Sequence, residues 1–259
     1  MNILFLAWRD PNARSWYPIG RLRRTNNKTY EFKYLNGVKD AIGMGGFCPF
    51  PSFPDIYATY ASEELFPLFA NRLMPASRPD YAEYIEWMSI AEHEDDPIAI
   101  LSRSGGERAT DSLEVFSCPQ QDEQGRYHIH FFVHGLRHMS ECSQQRAAHL
   151  QSGDRLLLMH DFQNAHDSRA LLLRTSEQTS GDIHNVGFCP RYLGDDIFWL
   201  LSKNAAALSE SVIVNVERYN PAPAPTQFRL LCNMTVCWPD GFTPFSTELY
   251  QLLVEPSSK

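Results

Sequence analysis

The sequence predicts an α+β protein in two parts. A mixed module covers residues 1–122, a β-rich module with one helix covers residues 123–222, and a tail, 223–259, packs back as strands. Three observations carry this. From Gly125 onward apolar and polar positions alternate, with Tyr127, Ile129, Phe131 and Val133 set against His128, His130, Phe132 and His134, the two-residue period of a half-buried strand. Helix-start signals cluster between Ser62 and Gly106. The charge balance also breaks between the two parts: residues 61–125 hold 4 Lys+Arg against 14 Asp+Glu, whereas residues 126–222 hold 9 against 10.

Taken in order, the apolar start Ile3-Leu4-Phe5-Leu6-Ala7-Trp8 reads as a first strand. Tyr17–Leu22 and Tyr30–Tyr34 read as a strand pair around an Asn26-Asn27-Lys28 loop. Residues 43–55 are rich in Pro and Gly and read as loop. Ser62 is placed to cap a helix through Glu63-Glu64-Leu65-Phe66, and Asp80 to cap one over Tyr81–Met88. Asp96 followed by Pro97 starts a short helix that stops at Ser104-Gly105-Gly106. Strands follow at Asp154–His160, Ala170–Thr175 and Val186–Cys189. A helix is expected over Tyr192–Ser202, with Leu193, Ile197, Leu200 and Leu201 on one face, and then strands at Ser211–Val216 and Phe228–Val236. Pro221-Ala222-Pro223-Ala224-Pro225 reads as an extended connector and Trp238-Pro239-Asp240-Gly241 as a turn.

A net charge of -8 argues against tight non-specific wrapping of nucleic acid, because that affinity comes from neutralising phosphates. It leaves room for a local pocket that holds one strand end, and residues 1–60, with 8 Lys+Arg against 4 Asp+Glu, offer a second phosphate contact. The six cysteines are scattered without a CxxC pair, and the short apolar start lacks the basic lead and cleavage site of a secretion signal. The expectation is therefore reduced thiols, a cytoplasmic location and no membrane span.

Three segments of the second part, Phe132-Val133-His134-Gly135-Leu136-Arg137-His138, then Asp161-Phe162-Gln163-Asn164-Ala165-His166-Asp167-Ser168-Arg169-Ala170, then Val186-Gly187-Phe188-Cys189-Pro190-Arg191, match in order a "G-x-R-aromatic", an "N-x-x-D-x-x-A" and an "iGyvPr" signature. Over roughly residues 126–222 the chain thus resembles the HIRAN domain family. The resemblance implies a small OB-like β-barrel that captures the 3′-hydroxyl end of single-stranded DNA without chemistry, serving repair, replication or defence beside a nuclease or helicase partner. It further implies that Arg137 and His138 lie near the terminal nucleotide, that Asn164, His166 and Asp167 sit in the loop receiving the end, and that Arg191 lies near a phosphate. His138 and His166 fall where the family has tyrosines and Phe188 where it has a histidine, and these rings can still stack on bases.

The chemistry of these residue types agrees with that reading. A carboxylate accepts from a free hydroxyl, whereas a phosphodiester would bring like charge against it, and an amide beside it can donate or accept. Arg137 and Arg191 offer two-pronged phosphate contacts. A plainer reading stays open: Asn164 and Asp167 as an Asx turn that shapes a hairpin, Arg191 as the partner of Asp195, and Gly135 and Gly187 as backbone requirements.

In the first part, Tyr17-Pro18-Ile19-Gly20-Arg21-Leu22, Tyr30-Glu31-Phe32-Lys33-Tyr34, residues 65–75 and Asp96–Gly106 resemble the N-terminal subdomain of HipA-type kinases over about residues 17–117. No phosphate loop, ATP lysine or catalytic loop follows, so kinase activity is not implied. An interaction module that regulates a HipA-like toxin or kinase is the alternative function. A metal-dependent hydrolase ranks third: His128, His130 and His134 with His138 and Cys142, or Glu92-His93-Glu94-Asp95-Asp96, could in principle hold an ion, but they read more simply as a solvated strand face and a linker. Ser102–Glu107 is no nucleophile elbow, for the strand before it is missing. No cofactor, metal or catalytic constellation is expected.

Overall fold

A computed structural model of the chain describes residues 3–25, 27–91, 96–119, 121–177, 182–203, 212–237 and 239–255. Its contacts divide the chain into one unit of residues 1–78, 94–118 and 245–259 and another of residues 79–93 and 119–244. Among the described residues no helix is long and apolar enough to cross a membrane.

The first unit is built on a five-stranded antiparallel sheet. β1 (Ile3–Arg9) lies between β2 (Trp16–Arg24) and β5 (Leu113–Ser117), and β3 (Tyr30–Tyr34) and β4 (Tyr60–Ser62) follow beyond β2. Strict alternation in β3 puts Tyr30, Phe32 and Tyr34 on one face, where they join Leu4, Leu6, Ile19 and Leu22. Over that face pack α1 (Gly37–Gly45), α2 (Pro67–Ala70) and α4 (Pro97–Ser104), through Val38 and Ala41, Phe69, and Ile98 and Leu101. On the other face Phe5 and Phe116 are covered by Phe245 and Tyr250, with Phe5 5.2 Å from each by ring centroids. As expected, Asp96 caps α4, accepting from the Ile98 and Ala99 N–H groups, and Gly105 ends it at φ 72.

Two local expectations differ here. Ser62 does accept from the Glu64 N–H, but no helix begins there; Leu65 and Phe66 run in non-helical backbone, Phe66 against Phe53 at 5.1 Å, and α2 starts at Pro67. The helix α1 also reaches into the stretch read as loop, closing only at Gly46 in the left-handed region. Beyond it a hydroxyl of β3 ties down the Pro-rich loop. Tyr34 Oη donates to the Phe53 carbonyl at 2.9 Å and accepts from the Phe50 N–H at 3.1 Å, and desolvation pushes its pKa up to about 12, so it stays a donor. Tyr34→Phe leaves both backbone groups without this partner and should cost about 1–3 kcal/mol, read as a fall of several degrees in the melting of the first unit.

The second unit is a six-stranded antiparallel sheet, ordered β6 (Arg126–Phe132), β11 (Leu230–Cys237), β10 (Val212–Tyr219), β7 (Arg155–His160), β8 (Leu171–Thr175), β9 (Asn185–Phe188). It curls until its outer strands meet: the His134 N–H donates to the Phe188 carbonyl at 2.9 Å, and the Phe188 N–H returns to the His134 carbonyl at 2.8 Å. That closure is compatible with an OB-like barrel. Tyr127, Ile129 and Phe131 point inward as the alternation requires, with Leu156, Leu173, Val186, Val214 and Val216. α5 (Glu141–Ala147) is capped by Ser140, and α6 (Gly194–Lys203) buries Ile197 and Leu200.

The chain crosses the boundaries at 122 and 222 read from the sequence. α3 (Tyr81–Trp87) belongs to the second unit, where Arg218 pairs with Glu86 and the Asn220 amide donates to the Trp87 carbonyl at 3.0 Å. The tail divides. β11 lies inside the second sheet, bonded on both edges, while residues 245–255 return to the first unit through a bridge between Leu252 and Leu35. A strand with partners on both sides satisfies every ladder group, which an appended tail strand could not. The turn expected at 238–241 closes by the Phe242 N–H on the Pro239 carbonyl at 3.1 Å; Trp238 and Asn26, named in two expected turns, lie outside the described residues.

Candidate nucleic-acid interface

The connection between β7 and β8 holds the densest set of expected site residues. Its ends are tied by the Asp161 N–H on the Ala170 carbonyl at 3.0 Å. Inside it, the Asn164 amide donates to Asp161 Oδ2 at 3.0 Å, and its oxygen accepts the N–H groups of His166 and Asp167 at 3.0 and 3.1 Å. Asp167 Oδ1 accepts the Arg169 N–H at 2.9 Å. This is the Asx-turn geometry that Asn and Asp favour, so both side chains shape the loop.

A second segment grips that loop. After β9, Pro190 leads into a single 3-10 turn, Arg191–Leu193, whose first residue reaches back. Arg191 Nε lies 3.4 Å from Asp167 Oδ2, and its Nη2 donates to the His166 carbonyl at 3.1 Å. Asp195, the other partner considered for Arg191, is instead paired with Arg169. The carboxylate of Asp167 keeps acceptor capacity beyond these bonds, for an ionised carboxyl can accept about four. Its side chain is 20% exposed and that of Arg191 36%, so ligand can reach both.

A third segment lies alongside. Gly135, at φ 74, opens a 3-10 turn, Leu136–His138, and the Arg137 Nε–H donates to His138 Nε2 at 3.0 Å. Both side chains are exposed. The turn is held against β9 at Gly187, where φ is 132 and an added Cβ would stand 2.5 Å from the His134 carbonyl oxygen. Phe188 is half-buried beside Gly135. The structure thus joins Asn164, His166, Asp167 and Arg191 in one bonded cluster and sets Arg137, His138 and Phe188 on the adjoining closure.

Other residues singled out in the sequence have local partners. His128 lies 2.8 Å from Asp122 by Nε2 and 3.1 Å from Thr235 Oγ1 by Nδ1, and His130 lies 3.4 Å from Glu217. Desolvation pushes the Asp122 carboxyl up, but donation from Arg126, Gln124 and His128 outweighs it and holds the group down at about 2. Cys189 and Cys232 are buried and desolvation pushes both thiols up, whereas Cys142 and Cys237 are exposed. Among the described residues no three His, Cys, Asp or Glu side chains converge on a metal position; Glu92-His93-Glu94-Asp95 lies outside them.

Sequence reading passed over three residues of this region: Arg169, Phe162 and His160. Phe162 is 82% exposed, and its ring meets that of His160 at a tilt of 46° with centroids 3.9 Å apart. The available signal was a lone aromatic inside an otherwise polar loop.

No curated protein matches the chain. Among solved structures, a protein from Lactobacillus plantarum is 16% identical, over 43% of this chain and 97% of that one, with a TM-score of 0.30. The HIRAN domain of human HLTF is 17% identical, over 44% of this chain and 81% of that one, also with a TM-score of 0.30. Residues 127–234, which run from β6 into β11 and contain all three segments of the candidate interface, match the HIRAN domain.

Proposed function

We propose that the second unit captures the 3′ end of single-stranded DNA and performs no chemistry, acting in repair, replication or defence by holding an end for a partner nuclease or helicase. The observation that carries this is the cluster of Asp167, Arg191 and His166 on an accessible loop of a sheet that matches the HIRAN domain. In this reading Asp167 accepts the terminal hydroxyl, the Arg191 guanidinium lies against the last phosphodiester, and Arg137 supplies a second guanidinium from the adjoining turn. The rings of His138, His166 and Phe188 line the path of the bases.

The test compares two oligonucleotides that differ only in a 3′-hydroxyl or a 3′-phosphate, titrated at one fixed salt concentration. The hydroxyl form should bind at least about ten-fold tighter, since a lost charge-assisted hydrogen bond plus a dianion against Asp167 exceeds ~1.4 kcal/mol. Asp167→Ala should abolish the preference, partly by improving binding of the phosphate form. Equal binding of both forms by the unaltered protein, or no binding, contradicts the reading.

A further inference from the structure

We infer that Phe162 is a further base-stacking surface of this site, beyond the rings of His138, His166 and Phe188, a reading that rests on the end capture proposed above. Among the described large apolar side chains Phe162 is the most exposed, at 82%. It is nevertheless not loose. One side rests on His160 at 3.9 Å between centroids, and the His160 ring meets Phe198 of α6 edge-on at 4.7 Å. The His160 Nε2–H donates to the Ser168 carbonyl at 2.8 Å, which fixes the middle ring. Three rings therefore form a row, half-buried at Phe198 and open to solvent at Phe162.

The surroundings select the occupant. Phe162 stands in the loop that carries Asp167, between Asp161, Gln163 and Asn164, with Arg169 57% exposed on the same loop and Arg191 bonded to it. A protein interface centres on a contiguous apolar patch, which a single ring among polar side chains does not provide. A nucleobase needs one flat face and a nearby cation for its backbone, and stacks without regard to sequence.

Phe162→Ala, in the full chain, should weaken a 3′-hydroxyl oligonucleotide about ten-fold, the scale of one lost base–aromatic stack. Phe162→Trp should bind like the unaltered protein, with its indole fluorescence quenched on binding. Because Asp167 is intact, Phe162→Ala should keep the preference for hydroxyl over phosphate. An oligonucleotide with abasic sites in its last few positions should bind Phe162→Ala and the unaltered protein equally. If Phe162→Ala binds the normal oligonucleotide as tightly as the unaltered protein while the end preference persists, the stacking role is wrong and end capture stands; if the unaltered protein binds no oligonucleotide, both fall together.

Discussion

Gly187→Ala is expected to cost the second unit about 3 kcal/mol or more, the sum of backbone strain at positive φ and a forced overlap. The residue sits at φ 132, and a Cβ would lie 2.5 Å from both the His134 carbonyl oxygen and Val133 Cγ1. Backbone cannot yield there, because His134 and Phe188 exchange the two hydrogen bonds that close the curled sheet. Gly153 supplies the control. It too has positive φ, at 90, but open space around it, so Gly153→Ala carries only the strain, about 1 kcal/mol. Thermal unfolding should show Gly187→Ala lowering the melting point by about 10 °C and Gly153→Ala by a few degrees. Equal shifts would mean that the close approach at Gly187 is absent.

Arg191→Ala should reduce affinity for a 3′-hydroxyl single strand about 10- to 100-fold, the scale of a charge-assisted contact to phosphate together with a disordered receiving loop. The salt dependence of binding should become shallower by about one unit of slope, since one phosphate contact fewer releases fewer counterions. Arg191→Lys should recover only part of the loss: the charge returns, but not the planar fork that spans Asp167 and the His166 carbonyl. Stability should change little, because a partly exposed ion pair contributes about 0–1 kcal/mol. Normal melting with unchanged affinity would show that Arg191 serves only to tie the loop down.

Most of the longer strands were legible from their apolar patterning, and β3 alternates residue by residue, whereas β4, β5 and the helix α5 were not read from the sequence. The Asp96-Pro97 start and Gly105 stop of α4 were legible because capping is local chemistry. Three further things were not. The helix start read at Ser62 failed because Ser62 Oγ satisfies the Glu64 N–H in a bend as well as it would in a helix. β11 was assigned to a tail because nothing within residues 230–237 says that β6, more than 90 positions earlier, will pair with it. Arg191 could have paired with Asp195 at a helical spacing, and only the path of β9 brings it to Asp167. Within the interface, sequence motifs named the polar residues, while the exposure of Phe162 and its tilted contact with His160 are products of the turn that ends β7. The HIRAN match covers residues 127–234 and leaves the HipA-type resemblance read from motifs of the first half unsupported.

The most direct test of the central claim is a titration of isotope-labelled protein with a short single strand ending in a 3′-hydroxyl, followed by amide chemical shifts. The account predicts the largest changes at residues 161–170, at Phe188 and Arg191, and at Arg137 and His138, with the five-stranded sheet of the first unit undisturbed. Changes confined to β2 and β3, where Arg21, Arg23 and Lys33 lie, would contradict it.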